Sequence, residues 1–190
     1  MSKIIMQQFI TLDGVMQAPG DLREFEHGGW QRPYVGEEHL TLIVEQAHEV
    51  GALLLGRKTY ESFAATWPSA AGMRGLAHRM NCIPKFVASR ILSHAEWNAT
   101  IIQGIAAEEV AKLKQKFSED LLVVGSGDLA QTLMKHHLID EYRIWVHPVI
   151  LGSGQQLFRE GNEKTAMRLM DVKTLNTGVA IHIYQPEIVN

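Results

Sequence analysis

The spacing of apolar and polar residues changes several times along this chain. Short apolar runs of the kind that buried strands produce occur at residues 3–12, 52–55, 85–88, 100–102 and 121–124. Between them, apolar residues recur at helical spacing, which predicts helices over residues 37–50, 58–66, 107–118 and 128–137. This alternation of strands and helices predicts an α/β fold with a central sheet.

The pattern changes in the last third of the chain, where polar and apolar residues alternate. Such alternation predicts antiparallel strands over residues 141–147, 168–175 and 179–184, with a turn near Asn176-Thr177-Gly178. Earlier, residues 13–35 contain too many glycines and prolines for regular structure. A loop of this length is usually functional or mobile, so it is a candidate lid.

Composition narrows the classes of protein to which the chain could belong. The 190 residues fit a single domain over residues 1–190, and the net charge of −3 gives no footprint for nucleic acid. The lone Cys82 cannot form an internal disulfide, and Met1-Ser2-Lys3-Ile4-Ile5 lacks a secretory signal pattern, so we expect a cytoplasmic protein without a membrane span. The histidines show no ligand spacing, and we expect no metal.

One junction stands out in the first third of the chain. The run 52–55 ends at Gly56 and is followed by Arg57, Lys58 and Thr59 at the start of a predicted helix. Helix starts attract anions and arginine forks onto phosphate oxygens, although the same residues could form only a solvated helix start. The junction therefore predicts a phosphate-binding edge.

A second cation and hydroxyl follow the next strand. Ser89 and Arg90 come directly after the run 85–88, at what should be the same carboxyl edge of the sheet, where α/β folds bind ligands. Two cations and two hydroxyls fit an additional phosphate. On an adenine dinucleotide this is the ribose 2′-phosphate, so these residues favour NADPH over NADH.

A glycine turn follows the run 121–124. Gly125, Ser126 and Gly127 precede a predicted helix, which is typical of close approach to a pyrophosphate but can also serve only helix-to-strand packing. Asp128 stands at the helix start. We expect its carboxylate to cap the helix with its charge turned away from the ligand.

The segment Leu55-Gly56-Arg57-Lys58-Thr59-Tyr60-Glu61-Ser62 closely resembles the corresponding segment of dihydrofolate reductases, and Val123-Val124-Gly125-Ser126-Gly127 resembles their cofactor turn. Thr11-Leu12-Asp13-Gly14, Leu138-Ile139-Asp140-Glu141 and Pro148-Val149-Ile150-Leu151-Gly152-Ser153-Gly154 are more similar to the reductase domain of the bacterial bifunctional riboflavin deaminase-reductase and its stand-alone relatives.

The resemblance implies a three-layer α/β/α fold with a mostly parallel central sheet and a C-terminal antiparallel hairpin. It also implies hydride transfer from NADPH to a pterin-like or ribosylaminopyrimidine substrate, as in riboflavin biosynthesis, and a homodimer. Carried over by position, the cofactor would be held by Arg57, Lys58, Thr59, Ser89, Arg90, Gly125, Ser126, Gly127 and Leu129, and the nicotinamide and substrate would lie near Phe9, Asp13, Gly14 and Val15.

The acceptor end of the site leaves alternatives open. Dihydrofolate reductases place an acid at the start of the helix before the Gly-Arg junction, where this chain has Glu37 and Glu38 without the usual aromatic context. Either glutamate could take the acid's place, or both could be ordinary first-turn residues. A proton for the substrate could come from water or from Asp13, Glu37 or Glu38.

Aromatic residues near the predicted cleft have two interpretations. Trp30, Phe63 and Trp67 could wall a planar ligand or fill the core. The whole chain also has two alternative interpretations beside the reductase, because no catalytic acid is clearly marked. It could be a non-catalytic NADPH-binding sensor, or a structural homodimer joined through strand 141–147 and the loop after Pro148.

Overall fold

A computed structural model describes residues 2–71 and 75–187. Within these ranges, eight strands form one sheet. They are β1 (Ile4–Thr11), β2 (Ala52–Gly56), β3 (Lys85–Ala88), β4 (Ala99–Ile102), β5 (Leu121–Val124), β6 (Glu141–His147), β7 (Met167–Thr174) and β8 (Ala180–Pro186). The helices are α1 (Glu37–His48), α2 (Arg57–Thr66), α3 (Leu76–Cys82), α4 (Ala106–Lys116) and α5 (Gly127–Lys135), with 3₁₀ turns at Arg32–Tyr34 and Trp67–Ser69.

The strand order is β4-β3-β2-β5-β1-β6-β8-β7. Neighbours from β4 to β6 run parallel, whereas β6 and β8 and then β8 and β7 pair antiparallel. The expected mostly parallel sheet with a C-terminal antiparallel hairpin is confirmed. The expectation for residues 141–147 was only partly right, because β6 is antiparallel to β8 but parallel to β1.

Helices cover both faces of the sheet. On one face α4 and α5 pack through Val110, Ala130 and Leu133 against β1, β2 and β5. On the other face, α1, α2 and α3 contribute Ala47, Tyr60 and Met80 to a second core. The middle strands are buried on both faces, which explains why β2 reads as an unbroken apolar run.

Helix α3 was not predicted from the sequence. It has only seven residues and follows Gly75, which has a left-handed φ of 87°. Its apolar residues Leu76 and Met80 do face the second core. A pattern this short cannot be separated from a loop by periodicity alone. Within the described residues, no helix is long and apolar enough to cross a membrane.

Candidate active site

Three segments that the sequence singled out end side by side at the carboxyl edge of the sheet. Gly56 at the end of β2 lies opposite Ala88 at the end of β3, so Arg57 and Ser89 leave the sheet from neighbouring strands. On the other side of β2, Leu54 pairs with Val123 of β5, which brings the turn at Gly125 to the same edge. The predicted meeting of these junctions is confirmed.

Direct hydrogen bonds connect the β2 and β5 junctions. The Ser126 N–H donates to the Thr59 hydroxyl at 2.9 Å, and the Gly56 N–H donates to the Ser126 hydroxyl at 2.8 Å. The Gln8 side chain also donates to the Gly125 carbonyl at 2.7 Å. These bonds fix the start of α5 against the start of α2.

The glycine turn has an unusual backbone. Gly125 and Ser126 both have a left-handed φ, at 58° and 62°. A side chain on Gly125 would begin 3.2 Å from Thr59, so this position needs glycine for space as well as for conformation. A serine held in this region costs energy, and such strain clusters at functional sites. Leu129 presents its side chain to the core instead.

The cationic residues at this edge are accessible. Arg57 forms an ion pair with Glu61 one turn along α2, at 2.8 Å between Nη1 and Oε2, while Lys58 and Arg90 are exposed. The Ser89 hydroxyl accepts from the N–H groups of Ile91 and Leu92. Ser89 therefore shapes the turn that carries Arg90.

Arg159 was missed by sequence reasoning. Its Nη1 lies 3.0 Å from a carboxylate oxygen of Asp128, and its Nη2 lies 3.1 Å from where a side chain on Gly127 would begin. Its Nε and Nη2 are buried and, in the described part of the chain, without a hydrogen-bond partner. The loop around Arg159 has no motif that could have signalled this position.

The pairing of Asp128 with Arg159 also corrects an expectation. Asp128 makes no side-chain capping bond at the start of α5. Its carboxylate does not cap the helix because it is held by the guanidinium of Arg159 instead.

The carboxylate of Asp13, a predicted catalytic acid, is surrounded by hydrogen-bond donors. Its carboxylate accepts from the Thr11 hydroxyl at 2.6 Å and from the Gly152 N–H at 2.8 Å. The hydrogen bond from Thr11 is the main cause of a pKa below the usual range of a carboxyl, followed by the backbone donors. Asp13 thus ties the turn after β1, with Gly14 and the buried Val15, to the loop after β6.

The two glutamates at the start of α1 face the hairpin turn between β7 and β8. Glu38 accepts the Asn176 N–H at 3.1 Å and lies 3.9 Å from the ammonium of Lys173. Glu37 borders the same surface cleft. Both glutamates therefore lie on the side of α1 that faces the turn between β7 and β8. In residues 2–71 and 75–187 no group of His, Cys, Asp or Glu is placed to hold a metal.

A closed cluster of aromatic and imidazole rings lies beside the ends of β1 and β6. We name Phe9, His39, Trp145 and His147 the ring cluster; the centroids of its neighbouring rings are 4.7 to 6.0 Å apart. Trp30 packs edge-on against His147 at 5.1 Å. His39, Trp145 and His147 are at most 1% exposed.

The histidines of the ring cluster were not found from the sequence. Burial lowers the pKa of His39 to about 4, with the imidazole of His147 as a smaller cause. Burial also lowers the pKa of His147. Both rings are therefore neutral near pH 7. By contrast, Phe63 and Trp67 pack against each other and the second core, in a different cluster from Trp30.

The hydrogen bond from the Ser126 N–H to the Thr59 hydroxyl allows a prediction about stability. Thr59→Val keeps the side-chain shape but leaves the part-buried Ser126 N–H without its acceptor, so we expect the free energy of unfolding to fall by about 1–2 kcal/mol. Urea unfolding measures this. Thr132→Val is the control, because that exposed hydroxyl donates only to a carbonyl of its own helix. Equal losses in the two variants would contradict the role of Thr59.

Residues 2–181 match the model of a protein family described as the RibD C-terminal domain. The uncharacterized protein YyaP of Bacillus subtilis strain 168 is 26% identical over 187 residues, covering 96% of this chain and 94% of YyaP. The uncharacterized protein YwjB of the same organism is 31% identical over 133 residues, covering 70% of this chain and 72% of YwjB.

Two solved structures share the architecture. A diaminohydroxyphosphoribosylaminopyrimidine deaminase/5-amino-6-(5-phosphoribosylamino)uracil reductase from Thermotoga maritima matches with a TM-score of 0.66 and 13% identity, over 97% of this chain and 56% of that one. A dihydrofolate reductase from Enterococcus faecalis complexed with NADP(H) matches with a TM-score of 0.61 and 14% identity, over 97% and 96%. The dihydrofolate reductase-like fold is thereby confirmed.

Proposed function

The chain belongs to the RibD C-terminal domain family, and from that membership we propose that it is an NADPH-dependent reductase of a pterin-like or ribosylaminopyrimidine substrate. The observation that carries the proposal is the joining of two strand-to-helix junctions through Thr59 and Ser126. Two such junctions at one sheet edge suit a dinucleotide, because each helix start offers free N–H groups to a phosphate.

The residues present fit a dinucleotide phosphate. Both glycines of the turn Gly125–Gly127 lack a side chain of their own, and the first N–H groups of α5 have no acceptor within the helix. Beside them, Nε and Nη2 of Arg159 are buried donors that bind no carboxylate or carbonyl of the described residues. A pyrophosphate placed there would satisfy these donors with charge-assisted hydrogen bonds. Arg57 and Arg90 would hold the 2′-phosphate, with Lys58 nearby.

When bound, NADPH supplies the hydride, and the chain must orient the acceptor and exclude water. The acceptor would be a C=N bond, whose carbon would take that hydride and whose nitrogen would take a proton, giving an amine. Asp13 is a poor proton source because its donors keep the carboxylate ionised. We assign the proton to water, because Glu37 and Glu38 line a cleft at the turn between β7 and β8, and Asp13 acts by positioning the turn at Gly14 and Val15.

The test is turnover with defined acceptors. We expect the purified chain to oxidise NADPH in the presence of 5-amino-6-(5-phosphoribosylamino)uracil or 7,8-dihydrofolate, and NADPH to be used in preference to NADH. Absorbance of the reduced nicotinamide reports the rate. Tight binding of NADPH with no turnover of either acceptor would contradict the reductase and favour a cofactor sensor, whereas no cofactor binding would favour a structural role.

A further inference from the structure

We propose that His147 and Trp145 recognise the hydrogen-bonding edge of the acceptor ring, with His147 accepting an N–H and Trp145 donating to the neighbouring carbonyl. The ligand class is a cyclic amide, in which a ring N–H stands next to a C=O. Pterins and uracils share this edge. The inference rests on the proposed function for the identity of the acceptor, but its test uses ligand binding alone.

Unpartnered polar atoms in a buried place carry the proposal. Nε2 of His147, Nε1 of Trp145 and Nδ1 of His39 are buried and find no hydrogen-bond partner among the described residues. Native proteins pair the large majority of such atoms, and an exception usually indicates a function or a bound group. Here three exceptions belong to one cluster of rings, at the sheet edge where the acceptor would lie.

The hydrogen bonds of His147 determine which nitrogen is the acceptor. Its Nδ1 lies 3.0 Å from the Trp145 carbonyl and 3.2 Å from the Ile10 carbonyl. Both oxygens can only accept, so the proton of the neutral ring is on Nδ1. Nε2 of His147 therefore has a free lone pair, and it needs a donor such as a ring N–H.

Trp145 supplies the complementary partner. The indole Nε1 can only donate, and Trp145 and His147 are two residues apart on β6, so their side chains lie on the same face of the sheet. A donor and an acceptor on the same face of the sheet suit a ligand that carries both an N–H and a C=O, as a cyclic amide does.

The loop 17–34 covers this group and must move for a ligand to enter. Its bonds are mostly internal: the Trp30 indole donates to the Gln17 carbonyl, and the Gln31 N–H donates to the Pro19 carbonyl. Its contacts with the ring cluster are made by side chains: Trp30 and Tyr34 pack edge-on against His147, and Gln31 donates to His39. For the acceptor to reach the ring cluster, the loop would give up these contacts and its bonds with the Pro148 carbonyl and the Gln155 N–H.

The experiment compares two ligands on three proteins. The ligands are 5,6-diaminouracil and the same compound methylated on the ring nitrogen between its two carbonyls, titrated calorimetrically into the full chain without NADPH. We expect the wild type to bind the unmethylated compound ~10-fold more tightly, the effect of one hydrogen bond to a buried acceptor.

Two variants separate the two contacts. His147→Asn keeps an amide donor for the Trp145 and Ile10 carbonyls but is too short to place an acceptor at the position of Nε2, so the preference should fall to about twofold or less. Trp145→Phe keeps a ring but loses the N–H; both compounds should bind about 5–10-fold more weakly, with the preference retained. Unchanged NADPH affinity and far-ultraviolet circular dichroism would show that the variants fold.

Three outcomes would overturn the proposal: no binding of 5,6-diaminouracil, no preference in the wild type, or a full preference in folded His147→Asn. None of them depends on hydride transfer. A chain that oxidises NADPH yet shows no preference would refute only the role of the ring cluster, and a chain that discriminates without oxidising NADPH would refute only the reductase.

Discussion

Replacing Arg57 and Arg90 together by alanine is expected to lower the affinity for NADPH by more than about 100-fold and to leave the affinity for NADH near its original value. Each hydrogen bond to a charged group contributes about 1.5–3 kcal/mol, so two arginines on one phosphate account for about 3 kcal/mol or more. The two residues leave the sheet from neighbouring strands. Calorimetric titration of both cofactors measures the change.

The ion pair of Arg57 provides an internal check on this expectation. Glu61 holds the guanidinium at 2.8 Å, and it competes with a phosphate for the same N–H groups. Glu61→Gln should therefore strengthen NADPH binding by a few-fold, because an exposed pair of this kind is worth less than about 1 kcal/mol. Arg168→Ala, an exposed change on β7, is the matched control. Equal losses for NADPH and NADH in the double variant would place the arginines away from the 2′-phosphate.

Much of the fold could be predicted because the middle strands of the sheet are buried on both faces. Leu53, Leu54 and Leu55 are 0% exposed, and such strands read as apolar runs whatever their neighbours are. The glycine turn and the Arg57 junction could be predicted for a related reason. Small and charged residues directly after a buried strand can be recognised from the sequence alone. A parallel sheet then brings the carboxyl ends of its strands to one edge.

Strand pairing was harder to predict. Strand β6 alternates polar and apolar residues as an antiparallel strand does, yet it pairs parallel to β1 over residues 141–147. Alternation reports how each face is buried, and it does not report the direction of the neighbouring strand. The direction is set by the crossover through α5, which is a property of the whole chain.

The ring cluster, where we propose that the acceptor binds, could not be predicted because its polar residues come from distant segments. His39 and His147 are separated by more than a hundred positions. The resemblance to dihydrofolate reductases implied a substrate role for Glu37 or Glu38 instead. One signal was available. In β6, Arg143, Trp145 and His147 alternate with Tyr142 and Ile144, which places His147 on the same face as a large apolar residue.

Acid is expected to destabilise the fold through the ring cluster. Burial lowers the pKa of His39 from 6.5 to about 4. Between these two pH values His39 is protonated in the unfolded chain but stays neutral in the folded chain. The stabilisation is complete above pH 6.5 and is lost as the pH falls towards about 4, by about 3 kcal/mol in total. The lowered pKa of His147 adds a loss of the same sign. Urea unfolding across this pH range measures the slope.

A comparison of variants isolates the contribution of His39, because carboxyl groups such as Asp13 also lose stabilisation when they are protonated. His39→Gln removes the titrating ring and retains a polar group towards Gln31. It should flatten the dependence of unfolding free energy on pH by about 3 kcal/mol over this range. His94→Gln, at a histidine whose side chain is 78% exposed, should leave the slope unchanged. If His39→Gln and wild type lost stability in parallel, the imidazole would have to titrate normally, and His39 could not be buried as a neutral ring beside Trp145.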